Sequence, residues 1–128
     1  MALIIDLKPH EKIIIGESLI TNDKTKTRFH IEGHAPIMRE KDIMLEKDAD
    51  TACKKIYLTV QLMYLSAKPE ELHKTYFALV HEVQTAAPST APIIAEISAY
   101  ILADRYYKAL KEAKRLIEYE QELMGNVK

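Results

Sequence analysis

Residues 31–44 read IEGHAPIMREKDIM, and they stand at the point where the chain changes its period. Apolar, strand-like residues stop at Gly33, the chain turns through Ala35-Pro36, and Ile37-Met38 resume before the charged cluster Arg39-Glu40-Lys41-Asp42. Glycine and proline at such a turn predict that Ile37-Met38 rejoin a sheet. That would leave Arg39 at the rim, and two readings of it stand side by side. A planar guanidinium on a rigid sheet can grip a phosphate or a guanine edge with two parallel bonds. It can equally close a surface ion pair with Glu40 or Asp42.

On the N-terminal side of this stretch the apolar residues come in short bursts: Leu3-Ile4-Ile5, Ile13-Ile14-Ile15, Leu19-Ile20, and Phe29 with Ile31. Pro9, Gly16 and the polar run from Thr21 to Thr27 separate them. β-branched residues between turn formers predict four or five short antiparallel strands. Asn22-Asp23 reads as a hairpin tip, because both side chains tolerate positive φ and bond their own backbone.

On the C-terminal side the period becomes helical. Asp50 or Thr51 can cap a first helix reaching about Leu65, with Ile56, Val60 and Met63 on one face and Leu58, Leu62 and Leu65 beside them. That arc is wide enough to predict a buried helix. Pro69-Glu70-Glu71 starts a second, with a stripe of Leu72, Tyr76, Leu79, Val80 and Val83. Pro88 ends it, and Ser89 opens a third helix carrying Ile93, Ile94, Ile97 and Ile101. A fourth, from about Asp104 to Leu123, turns Tyr107, Leu110, Ala113, Leu116 and Ile117 inward. The expected fold is α+β: a small antiparallel β-rich module over 1–48, then a bundle of about four helices over 49–128.

A length of 128 residues allows one domain, or two small subdomains sharing a core. No apolar run approaches the roughly 20 residues of a membrane span, and Asp6 interrupts the start too early for a signal peptide. The single cysteine, Cys53, excludes an internal disulfide and suits a reducing cytoplasm, where the protein is expected to work. A net charge of −1 gives no global pull on nucleic acid, so any such binding needs a local patch.

No catalytic pattern emerges. His81-Glu82 begins like a zinc-protease helix, but Thr85 occupies the place of the second histidine. His30 and His34 straddle Gly33 outside any helix, and Cys53 has no histidine base near it in sequence. A glycine-rich phosphate loop is missing too. The chain reads as a non-enzyme with neither metal nor cofactor.

Basic residues offer two faces. On the last helix Lys108, Lys111 and Arg115 align, but Glu112, Glu118 and Glu122 are interleaved, which marks a solvated helix face. In the β-rich part the candidates are Lys8, Lys12, Lys24, Lys26, Arg28, Arg39 and Lys41. Phe29 is the only aromatic there, so a base-stacking platform is not expected, and readout would fall to backbone groups and arginine.

Five blocks in order carry a resemblance: MALIIDLKPHEKIIIG, IEGHAPIMREKDI, ADTACKKIYLTVQLMYL, APIIAEI and YYKALKEAKRLIEYE. Through them the chain resembles the flagellum-biosynthesis regulator family FlbT over essentially its whole length. The resemblance implies a bacterial post-transcriptional regulator that associates with the 5′ leader of flagellin mRNA and changes its stability or translation. It leaves the sign of regulation open.

The N-terminal third is also similar to the carbon-storage regulator family CsrA, through LIIDLKPHEKIIIG and HAPIMREKDI. That likeness implies a β-rich RNA-binding dimer in which Leu7 and Lys8 on the first strand and Arg39 with Glu40 on the last hold RNA. Arg28 and Lys41 join them as basic neighbours in the same module. A homodimer through the β module is also expected from isoleucine-rich strand edges, which invite pairing with another chain. A different class of function stands beside RNA binding: an adaptor whose helical surface recognises flagellin, the companion regulator FlaF, or an export component.

Overall fold

The computed structural model describes residues 2–125, and the chain divides into two compact units, one ending at Ile43 and the other beginning at Met44. The described residues of the N-terminal unit form five strands and one 3₁₀ turn, Glu40–Asp42. Strand β1 (Leu3–Leu7) pairs antiparallel with β4 (Thr27–Ile31), Leu3 opposite Ile31 and Leu7 opposite Thr27. Strand β2 (Lys12–Ile15) is the centre of a second antiparallel sheet, between β3 (Ser18–Thr21) and β5 (Ile37–Arg39). Period-two alternation sends Ile5, Leu7 and Ile13 into a core that Ile15, Phe29, Ile31 and Ile37 partly cover. Ile37-Met38 do rejoin the sheet, with Met38 opposite Ile14 and buried. The turn that returns them uses Gly33 at φ +124°, a conformation open to glycine and strained for any side chain.

The hairpin tip is not at Asn22-Asp23. Strands β2 and β3 are joined by Gly16-Glu17, with Ile15 opposite Ser18 and Gly16 at φ +63°. Glycine at positive φ in the first place of a two-residue loop is the type II′ solution, whose twist matches the strands. Asn22 instead sits where the chain leaves one sheet for the other, since β3 and β4 belong to different sheets. Its amide nitrogen lies 3.2 Å from the Leu7 carbonyl oxygen, 2.9 Å from that of Lys8 and 3.0 Å from that of Thr25. Its Oδ1 accepts from the Asp23 N–H and the Thr27 hydroxyl, both at 3.0 Å. One amide side chain therefore satisfies the carbonyls at the end of β1 and fixes the entry to β4.

The described residues of the second unit form four α-helices. Helix α1 (Ala52–Leu65) is capped by Thr51, whose hydroxyl accepts from the Lys54 N–H at 3.2 Å. A 3₁₀ turn over Pro69–Leu72 leads into α2 (His73–Ala86), and another over Pro88–Thr90 leads into α3 (Ala91–Leu102). Proline opens both turns, where its missing N–H costs nothing. Asp104, at φ +60°, takes the left-handed step that ends α3 and lets α4 (Tyr106–Gly125) fold back. Helix α4 packs against α1 and α3, and α1 also packs against α2. Their shared core is continuous: Ile56, Val60, Met63, Tyr76, Ile94, Ile97, Ile101 and Leu116 are buried.

Two sequence expectations fail here. Leu62 is 47% exposed, so α1 is not apolar all the way into the core. Its buried arc runs instead through Gln61, whose amide closes on the Met44 backbone, accepting its N–H at 2.8 Å and donating to its carbonyl at 3.1 Å. Tyr107 is 49% exposed rather than inward. The stripe of α4 is centred on Ala109, Ala113 and Leu116, which leaves Tyr107 at its margin, 5.6 Å between ring centroids from Tyr64. No helix of the described residues is long and apolar enough to cross a membrane.

Candidate nucleic-acid interface

The basic residues of the β unit are gathered by one turn and one strand end. After β1, Pro9 and His10 form a turn closed by the Glu11 N–H on the Lys8 carbonyl at 3.1 Å. Proline in the second place and positive φ in the third, +64° at His10, is the type II pattern. The Glu11 carboxylate folds back to accept the Lys8 N–H at 2.9 Å. The turn thus fixes the backbone of Lys8 while leaving its ammonium in solvent.

Strand β5 brings Arg39 to the same place. Its guanidinium donates to the Asp6 carbonyl on β1 at 2.6 Å and lies 3.7 Å from the Glu11 carboxylate. Arg39 therefore ties the last strand to the first and is only partly exposed. Glu40, one of the ion-pair partners considered from the sequence, accepts the Lys12 N–H at 2.6 Å instead. The 3₁₀ turn Glu40–Asp42 then presents Lys41 outward.

Together these pieces line an open hollow of about 400 Å³ formed by Asp6, Lys8, Glu11, Lys26, Arg39 and Lys41. A second of about 400 Å³ shares Lys8, Glu11 and Lys41 with it and adds Pro9, His10 and Glu40. Both carboxylates of the first hollow are engaged: Glu11 faces Arg39, and Asp6 takes two bonds from Arg28, at 2.7 and 3.2 Å. The hydrogen bond from Arg28 holds the Asp6 carboxyl below its ordinary pKa. Lys8 and Lys41 have no ion-pair partner among the described residues, so the hollow carries a positive surplus.

Of the residues singled out in the sequence, Lys8, Arg39 and Lys41 meet in this hollow, and Glu40 stands at its neighbour. Arg28 lies beyond Asp6, on the exposed face of β4. Leu7 is only 2% exposed, so its side chain belongs to the core. Sequence reasoning kept Lys26 among the cations but left it out of the site, and it overlooked Glu11. The signal for Glu11 was the Pro9-His10 turn, which folds residues 8–11 back beside β5. Lys26 arrives instead through the pairing of β4 with β1, which sets its neighbour Thr27 opposite Leu7.

The helical basic face is otherwise engaged. Lys111 lies 4.9 Å from the Tyr107 ring centroid, Lys108 lies 6.0 Å from that of Tyr100, and Arg115 bonds Glu112 at 2.8 Å. Cys53 is buried, and burial, with Glu120 beside it, pushes its thiol up to about 12, a poor nucleophile. No cluster of three or more His, Cys, Asp or Glu side chains among the described residues could hold a metal.

The family model described as "Flagellar protein FlbT" matches residues 3–124. A probable flagellum biosynthesis repressor protein FlbT 1 of Bradyrhizobium diazoefficiens is 50% identical over 126 residues, covering 98% of this chain and 86% of its own. A probable flagellum biosynthesis repressor protein FlbT of Rhodopseudomonas palustris is 45% identical over 98% of this chain and 99% of its own. A flagellum biosynthesis repressor protein FlbT of Caulobacter vibrioides is 31% identical over 99% and 92%. No solved structure matches the chain.

Proposed function

The chain belongs to the FlbT family of flagellar proteins, and from that premise we propose that it represses or tunes flagellin synthesis in the cytoplasm by binding the flagellin mRNA leader through its β unit. One observation carries the reading: Lys8, Lys26, Arg39 and Lys41 converge on an open hollow whose two carboxylates are already engaged by arginines. Phosphates are the natural occupants of such a surface, held by ammonium groups that give up little to reach them. Base readout would rest on backbone groups and on the edge of the Arg39 guanidinium, whose other contacts fix its position.

The test is a titration of flagellin leader RNA against a scrambled RNA across a salt series. Phosphate contacts predict that log affinity falls linearly with log salt, by about 0.7 per neutralised phosphate on single strands. Tighter binding of the leader than of the scrambled RNA is the expected result. Salt-independent binding, or none, would refute the reading.

A second reading rests on exposed apolar side chains of the helical unit: Leu62, Phe77, Leu102 and Tyr107. They suit an adaptor that docks flagellin or FlaF. Binding of that kind would be nearly indifferent to salt and would survive loss of the β-unit lysines.

A further inference from the structure

We propose that two copies of this chain pair through the open edge of β3, antiparallel and about a two-fold axis at Leu19. All four residues of Ser18–Thr21 are exposed, with Leu19 at 60% and Ile20 at 39%. Among the described residues the strand pairs with β2 alone, at the end of its sheet. None of the usual edge protections is present in it: no proline, no charge, no bulge. The other strand edges are better guarded. Strand β1 spends its Asp6 and Leu7 carbonyls on Arg39 and Asn22, β4 carries Arg28, and β5 is three residues long and ends in Arg39.

The hairpin fixes which groups face outward. In a two-residue hairpin the closing pair, here Ile15 and Ser18, exchanges the ladder bonds. Alternation then turns the N–H and C=O of Leu19 and of Thr21 toward the open edge. A two-fold axis normal to the sheet keeps each face on its own side, so only residues of equal parity can stand opposite one another.

Two registers satisfy this near the middle of the strand. With Ile20 opposite its own copy, Glu17 meets Asp23 of the other chain, a like-charge clash. With Leu19 opposite its own copy, Glu17 meets Thr21 of the other chain. The Lys12 ammonium already sits on the Thr21 hydroxyl, at 3.1 Å. In that register each Glu17 reaches a lysine across the interface, twice by symmetry, while the two Leu19 side chains cover each other. Charge therefore selects the second register. The product is a six-stranded sheet in the order β5-β2-β3-β3-β2-β5.

The experiment is sedimentation or light scattering of the full chain, without RNA, over a rising concentration series. The mass should climb from 14.7 kDa to twice that value. Leu19→Lys, on a strand position already exposed, should hold the mass at one chain while the circular dichroism stays native. Glu17→Lys should lower the dimer fraction at fixed concentration, and Glu17→Lys with Lys12→Glu should restore it. Wild-type chains that stay monomeric at high micromolar concentration would overturn the proposal. So would a Leu19→Lys variant that dimerises as well as wild type, or a charge swap that fails to rescue. Because no RNA is present, failure here leaves the basic hollow untouched.

Discussion

The two units of this chain are held together by different chemistry. Among the described residues the helical unit buries sixteen apolar side chains, from Ala49 to Leu116, and polar contacts sit mostly around them. Those of the β unit bury four, Ile5, Leu7, Ile13 and Met38. It compensates with side-chain clasps: Asn22 on the end of β1, Arg39 on the Asp6 carbonyl, Glu40 on the Lys12 N–H, and Arg28 on Asp6. The difference teaches where function can be tested cleanly. In the helical unit, surface and core are separate sets of residues. In the β unit the groups that could meet a ligand also hold strands together.

The largest expected effect comes from the helical core. Ile97→Ala, at a side chain with no exposed surface, should cost about 2–5 kcal/mol in chemical denaturation. A loss below 1 kcal/mol would mean this core is far looser than its burial implies. Asn22→Ala should come next, at about 1–3 kcal/mol, because it strands the partly buried Leu7 carbonyl at the end of β1 and removes the clasp on Thr27. A neutral Asn22→Ala would break the comparison, since the β unit would then not depend on polar clasps.

That dependence explains what the sequence concealed. The five strands and four helices were legible, because isoleucine bursts between turn formers and 3.6-residue stripes report burial directly. Thr51 was readable as a cap for the same local reason. Partners across the β unit were not. Asn22 and the turn residues of a tip look alike in sequence, and only the pairing of β1 with β4 shows that Asn22 bridges two sheets. Arg39 was legible as a strand-end arginine, but its attachment to Asp6 and Glu11 depends on contacts 33 and 28 residues away in the chain. The site was therefore half visible: its cations could be named, while their convergence and the carboxylates among them could not.

Arg39→Ala sharpens the comparison from the other side. It should weaken leader binding by about 1–3 kcal/mol, and Arg39→Lys should rescue only in part, since lysine keeps the charge but loses the fork. Unlike a free surface arginine, it should also lower the stability of the β unit by about 1 kcal/mol, the worth of one hydrogen bond. Thermal melts beside the binding curves separate the two losses. Thr51→Ala should cost about 1 kcal/mol through the lost cap of α1 and leave RNA binding unchanged.

The most direct measurement compares both basic faces against the same RNA. One variant carries Lys8→Ala, Lys26→Ala and Lys41→Ala in the β unit. The other carries Lys108→Ala, Lys111→Ala and Lys114→Ala on α4. Both triplets remove three positive charges, so a difference between them cannot come from net charge. The β-unit variant should lose leader affinity, and its salt slope should become shallower by about 2, three phosphate contacts at about 0.7 each. The α4 variant should bind as wild type does. Equal losses in the two variants, or a loss confined to α4, would contradict the assignment of RNA binding to the β unit.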